Sequence, residues 1–423
     1  MLKLLPGSVP MSNRKEMFFK DAIMNFKIMR SIALVAFLLT ACFSIDVDAQ
    51  TYYVSPDGDN SRTNAQAQNR NTPFRSIQTA LNRAATGSTV IVLDGTYWGH
   101  FNFVRSGVTL ESDRREGAFI IGSIYGDDLN FLTVDGFELA NRRPDAPRSK
   151  GIAFNRCHNV TVRDCRVHDC RGGGIAIDQS DQILVEWNVV YRNAFFNPDQ
   201  HSGISIYQPQ VRTTDRPGYD IMVRNNTSFS NENKVDNALF GRPTDGNGIV
   251  IDDTQNLTAP TGNNQTYSGS ILVENNLCFD NGGQGVHCYQ SENLTIRNNT
   301  LFRNMRSFEF GGEVSVVRGD NVLVYNNILR ANDNRNAAFK FEGGFVWFNF
   351  NLVYNGFTLG VNNGPNTIFA APEFDPNGFF DLDVNSPAID AGLTQQGRFG
   401  LDVDGNFRMF GEAVDIGAKE FAF

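Results

Sequence analysis

The sequence predicts an all-β solenoid whose parallel strands stack coil upon coil. Three observations point there: a segment that recurs along the middle of the chain, two-residue alternation within each copy, and asparagines that return at fixed places in it. The copies read "VTVRDCRVHDC" from Val160, "ILVEWNVVYRN" from Ile183, "IMVRNNTSFSN" from Ile221, "ILVENNLCFDN" from Ile271, "LTIRNNTLFRN" from Leu294 and "VLVYNNILRAN" from Val322. Their spacings are 23, 38, 50, 23 and 28 residues, a unit of 23 with insertions, which marks a repeat architecture. Ahead of each copy runs a second segment: "GIAFNRCHN", "GIAIDQSDQ", "GISIYQPQ", "GIVIDDTQN", "GVHCYQSEN" and "EVSVVRGDN". Alternation of apolar and polar residues is the period of a strand. A chain that repeats this without intervening helices must coil on itself, its strands about 4.8 Å apart.

The 423 residues divide into four parts on this reading. Residues 1–49 are upstream sequence and an export signal. Lys27 and Arg30 precede the apolar run "SIALVAFLLTA", which has the length of a signal core and is too short to span a bilayer. Met24 or Met29 is a more natural start than Met1. Two cleavage sites compete: "VDA" before Gln50, and "LTAC" ending at Cys42, which resembles a bacterial lipobox and would leave a lipid anchor. Either way the protein is expected to be exported, as a periplasmic, outer-membrane lipoprotein or extracellular bacterial protein. Residues 99–365 are expected to form the coils, between an opening segment, residues 50–98, and a closing one, residues 366–423.

Composition narrows the function. A formal net charge of −9 argues against a nucleic-acid footprint, which would be basic. Cleavage after Ala49 leaves Cys157, Cys165, Cys170, Cys278 and Cys288, an odd number at uneven spacing, so buried thiols are expected in place of disulfides. Asn188, Asn226, Asn276, Asn299 and Asn327 share one repeat position, with Cys165 in the first copy. Asn193, Asn231, Asn281, Asn304 and Asn332 share another, with Cys170 in the first copy. Asparagine tolerates left-handed turns and bonds nearby backbone, so these residues are expected to stack as ladders that hold the fold.

With these repeats, the chain resembles the right-handed parallel β-helix proteins of the pectin-lyase-like superfamily. The opening "TYYVSPDGDN … TPFRSIQTALNRAATGSTVIVLDGTYWG" and the closing "SPAIDAG … LDVDGNFRMFGEAVDIGAKEF" are similar to the ends of many secreted bacterial members. The resemblance implies a right-handed single-stranded parallel β-helix with an N-terminal cap and first coil over residues 50–98, capped by a helix around Ser76–Ala85, and a C-terminal capping segment over residues 366–423. It also implies a monomeric enzyme acting on a polysaccharide, most often a lyase or a glycoside hydrolase.

Strand phase places the candidate site. In "GIVIDDTQN" Ile249 and Ile251 take the inward phase, so Val250 and Asp252 face outward. Asp178, Tyr207, Asp252 and Tyr289 then form one outward column, with His287 beside Asp252 one coil on. Asp253, Gln290 and Arg318 follow at the strand ends. The insertions "AFFNPDQHS", "VRTTDRPGYD", "ENKVDNALFGRPTD" and "LTAPTGNNQTYSG" flank the same strands and would wall a groove there. Tyr207 and Tyr289 offer flat faces for sugar rings. His158 and His168 fall outside the column and are expected at the surface. The acidic turns "DLDVNS" and "LDVDGN" lack a calcium-loop repeat and are expected to be ordinary turns.

Two chemistries suit this cluster, and a Ca²⁺-assisted lyase acting on a uronate-containing polysaccharide is placed first. Asp178, Asp252 and Asp253 would hold Ca²⁺, which favours several carboxylate oxygens. Lys234, His201 or His287 would take the C5 proton, and Arg318 would grip a substrate carboxylate. The alternative is an inverting hydrolase using Asp178 and Asp252 or Asp253. Two coils separate Asp178 from Asp252, about 9–10 Å, close to the roughly 6.5–9.5 Å of inverting enzymes. The order of Asp252–Asp253, His287 and Arg318 on successive coils vaguely resembles polygalacturonases, but the "NTD", "GHG" and "RIK" elements are absent. A non-catalytic glycan-binding β-helix is a third class, against which the clustered ionisable groups count.

Overall fold

The computed structural model describes residues 49–142, 150–196, 200–212, 218–237, 240–258, 265–307, 310–394 and 400–421. The apolar run after Arg30, with Cys42, lies outside them. One coil shows the winding. Strand Ile175–Asp178 turns at Gln179 into Asp181–Glu186, which turns at Asn188 into Val189–Tyr191, and the chain then returns to Ile204–Tyr207 directly beside Ile175–Asp178. The register is Ile175↔Ile204, Ile177↔Ile206 and Asp178↔Tyr207, so equivalent residues stack without slippage. Repetition gives an 11-stranded sheet that contains Asp181–Glu186 and its equivalents and a 17-stranded sheet that contains Ile175–Asp178, Val189–Tyr191 and theirs. All the named pairings between coils are parallel.

The core follows from the alternation. Ile175, Ile204, Ile249 and Val286 stack on one interior face and Ile183, Ile221, Ile271 and Leu294 on another, all with almost no exposure. Each such side chain stabilises by about 1.5–3 kcal/mol relative to exposure. The five cysteines are free and buried.

The asparagine ladders form as expected at the first position. Asn188, Asn226, Asn276, Asn299 and Asn327 each donate from Nδ2 to the Oδ1 of the next, at 2.9–3.0 Å, and the series runs on to Asn351. The second ladder runs from Asn193 through Asn231 and Asn281 to Asn304, but Asn332 is not its last member. Glu313 takes that place: its carboxylate accepts from the Asn304 backbone at 2.9 Å and from Asn304 Nδ2 at 2.6 Å. Burial pushes the Glu313 pKa up to about 8.

Four groove-face strands are entered through a glycine, Gly174, Gly203, Gly248 or Gly285, packed against an asparagine of this second ladder. A Cβ at Gly174 would sit 2.7 Å from the Gly203 carbonyl oxygen and 2.8 Å from the Asn193 amide nitrogen. The strands leave through one recurrent left-handed residue, at φ between 45° and 55°: Arg156, Gln179, Gln208, Asp253, Gln290 and Arg318.

At the N-terminal end the helix Ile77–Arg83 turns Ile77, Ala80 and Leu81 onto the first coil. At the other end the sheet closes on Ile368–Phe369, and the rest of the chain folds back. It lies along the edge of the coils, where Asn225 and Asn275 donate to the Leu401 carbonyl, Asn298 to that of Asp415 and Asn326 to that of Leu393. Lys419 lies between Asp381 and Asp404, at 2.7 and 2.8 Å, so both acidic turns meet a lysine. His168 is a correction: it is buried, stacked on Tyr191 at 5.0 Å, and held by Asp169 at 2.7 Å and Glu138 at 3.1 Å.

Candidate active site in the groove

The outward column exists as the alternation requires. Asp178, Tyr207, Asp252 and Tyr289 are direct neighbours on four successive strands, and Val250 pairs with His287. A pocket of about 230 Å³ opens over the last two strands, lined by Asn237, Phe240, Thr244, Asp245, Asp252, Gln284, His287 and Tyr289. The insertion before Ile249 supplies one wall through Asn237, Phe240, Thr244 and Asp245. A second pocket of about 450 Å³ lies further along the groove, lined among others by Ser123, Tyr125, Lys150, Asn155 and Asp178.

Electrostatics distinguish the two acids of the column. Asp178 holds Lys150 Nζ at 2.6 Å. The Asp252 carboxyl makes no hydrogen bond or ion pair with the described residues. Burial, with Asp245, Asp253 and Asp178 nearby, holds its pKa well above the usual carboxylate range. Asp245 accepts from Asn247 Nδ2 at 3.0 Å, yet burial pushes it up to about 6. His287 is pushed down to about 4 by burial, and its Nδ1 has no hydrogen-bond partner. The pocket therefore sets an imidazole whose protonation burial disfavours beside a carboxyl whose ionisation is disfavoured, an arrangement typical of acid–base sites.

Several expected residues are elsewhere. Asp253 is fully buried in the left-handed turn, and its carboxylate accepts from Leu257 N at 2.8 Å, Thr258 N at 2.9 Å, Gln208 Nε2 at 2.8 Å and the Thr258 hydroxyl. It pins a loop and faces no substrate. Lys234 is largely exposed beside Glu232 and lines neither pocket. His201, pushed down to about 3 by burial and the charge of Lys150, also lines neither. Tyr207 lies between the two acids, its hydroxyl 3.2 Å from Thr258 Oγ1. Gln290 is nearly buried at its turn. Arg318 pairs with Glu342 at 2.7 Å and reaches the Tyr289 hydroxyl.

These positions do not fit calcium. Asp253 has its oxygens engaged, Asp178 has a lysine, and Tyr207 separates Asp178 from Asp252. No group of three or more His, Cys, Asp or Glu suited to a metal exists among the described residues. Activity is accordingly expected to survive EDTA, and added Ca²⁺ to leave the melting temperature unchanged; a loss of turnover restored by Ca²⁺ would contradict this geometry.

Asp245, Lys150 and Gln284 were not singled out from sequence. Lys150 and Gln284 precede the glycine that enters a groove strand ("KGI", "QGV"), and Asp245 stands just ahead of the same feature in "DGNGI". Polar residues beside those glycines were the available signal.

Comparison with known proteins agrees on the winding. The family model for the right-handed β-helix region matches residues 90–269. No curated protein sequence matches. Among solved structures, the pectate lyase Pel9A superposes with a TM-score of 0.52 at 17% identity, over 88% of this chain and 96% of that one. A rhamnogalacturonan lyase gives 0.39 at 14% identity, over 80% and 96%. The A-module of the mannuronan C-5 epimerase AlgE4 of Azotobacter vinelandii gives 0.36 at 16%, over 75% and 100%. The chain has the right-handed parallel β-helix fold. Identity this low extends the likeness to fold alone, and chemistry rests on the groove.

Proposed function

We propose that the groove cleaves a uronate-containing polysaccharide by β-elimination without a metal ion, with His287 taking the C5 proton. One observation carries this reading: a pocket lined together by His287 and by Asp252, a carboxyl with no hydrogen-bond partner among the described residues whose ionisation burial and neighbouring acids disfavour. Elimination needs the uronate carboxylate neutralised, because only then is the C5 proton acidic enough to remove. Protonated Asp252 donates a hydrogen bond to that carboxylate, and the incoming negative charge raises its pKa further. The His287 ring takes the proton through Nε2, since Nδ1 is turned into the protein. The C5–H electron pair becomes the C4–C5 double bond, the C4–O4 bond breaks, and the Tyr289 hydroxyl protonates the leaving oxygen. Arg318 beside Tyr289 stabilises the phenolate. The imidazolium then returns its proton to Tyr289, whose ring lies 6.1 Å away. Polysaccharide degradation outside the cytoplasm accords with the apolar run after Arg30.

The product tests this directly. Pectate, alginate or glucuronan should yield an unsaturated sugar absorbing in the ultraviolet. Inverting hydrolysis is the second reading, favoured because Asp178 has a cationic partner and Asp252 has none, at about 9.6 Å along the column. It gives new reducing ends without that absorbance.

Asp252 also separates the two. As a neutral hydrogen-bond donor it is replaceable: Asp252→Asn should keep at least a tenth of the elimination rate, while Asp252→Ala falls about 10²–10³-fold. A hydrolytic acid would be lost in both variants. The pH profile has a definite sign. kcat/KM should rise as pH climbs through about 4, where His287 in the free enzyme loses its proton. It should fall at higher pH as Asp252 ionises, and Asp252→Asn should remove that falling limb.

A further inference from the structure

The groove does not end at the pocket. Continuing its two outward columns, Tyr289 is followed by Val317 and Phe341, and His287 by Ser315 and Phe339. Phe339 and Phe341 lie nearly parallel, 8° apart, and Phe310 stands edge-on to both, with centroids at 4.7 and 5.9 Å. Phe339 is buried beneath, whereas Phe310 and Phe341 keep 46% and 43% of their surface open. The cluster is joined to the pocket: Gln284, one of its lining residues, donates from Nε2 to the Phe310 carbonyl at 3.2 Å.

Two strand steps, about 9.6 Å, separate His287 and Tyr289 from Phe339 and Phe341. A polysaccharide crossing the pocket along the column axis meets these rings next. We propose that Phe310 and Phe341, supported by Phe339, form a sugar-stacking platform that grips the polysaccharide beyond the cleavage point and selects chains over short fragments. The proposal rests on the groove being a polysaccharide site and deepens that reading. Its physical basis is the match between flat exposed aromatic faces and the C–H faces of pyranose rings, with hydroxyls left in water. A sugar is the occupant argued for because the rings continue the columns that bear His287 and Tyr289, with no step in the surface register.

Affinity electrophoresis of the full chain, in gels cast with pectate, alginate, glucuronan or a neutral β-glucan, reads binding without turnover. The wild type should be retarded by at least one polymer. Phe310→Ala/Phe341→Ala should bind that polymer at least tenfold more weakly with unchanged melting temperature, and Phe341→Trp should bind like wild type. His287→Ala should be retarded as strongly as wild type, which separates the platform from the chemistry: loss of activity with retained binding leaves the platform standing, whatever reaction the pocket performs. Equal retardation of the double alanine variant and the wild type would overturn the proposal. So would no retardation by any polymer, or a wild-type dimer in size-exclusion chromatography that the double variant abolishes, which would assign the rings to a second copy of this chain.

Discussion

His287→Ala should lower kcat/KM for elimination by about 10²–10⁴-fold, the usual contribution of a positioned general base. The effect should appear in chemistry and not in folding. His287 projects outward from Val286–Tyr289, and the strand's backbone pairing with its neighbours does not depend on the ring. Its Nδ1 bonds nothing, so removing it orphans no partner. Melting temperature and circular dichroism should match the wild type while the ultraviolet signal of product formation collapses. A His287→Ala variant within threefold of wild-type turnover would remove the pocket from the mechanism.

The second large effect is on stability. Asn299→Ala should destabilise the fold by about 3–5 kcal/mol. Asn299 donates from Nδ2 to the Val273 and Arg297 carbonyls and to Asn327 Oδ1, and its Oδ1 accepts from the backbone and the side chain of Asn276. Truncation strands several fully buried polar groups, each at about 1–3 kcal/mol. The sum is among the largest single-residue effects seen in folded proteins. Urea unfolding should show the midpoint falling at unchanged slope. A change below 1 kcal/mol would mean that water replaces the amide and that the ladder is ornamental to stability.

The contrast between the adjacent acids Asp252 and Asp253 shows how far sequence alone reaches. Alternation assigned Asp252 to the outer face correctly, because a strand's period is a rigid constraint. It could not foresee that Asp253 occupies a left-handed corner, where side-chain direction no longer follows the period and the carboxylate turns under its own loop. The asparagine series was legible for the same reason as Asp252: a ladder requires the same residue at each return. Its exception, Glu313 in place of Asn332, was hidden because the carboxylate comes from the next strand, nine residues after Asn304, and not from the next repeat. Lys150 and Asp245 escaped notice because they reach the groove from turns, whose geometry no period encodes. The placement of Asp178, Asp252 and Asp253 as one calcium-binding set differs from the structure on a related point. Three acids near one another in a repeat are not three acids facing one another.

The returning C-terminal segment changes what kind of object this solenoid is. Stacks of nearest-neighbour units can peel from an end, one at a time. Here fraying of the last coil must also lift the strap from Asn326, Asn298, Asn275 and Asn225, anchors spread over four turns of the winding. Local opening is thereby tied to the middle of the molecule, and the strands beneath the groove should lose their structure in a single cooperative event rather than by unzipping.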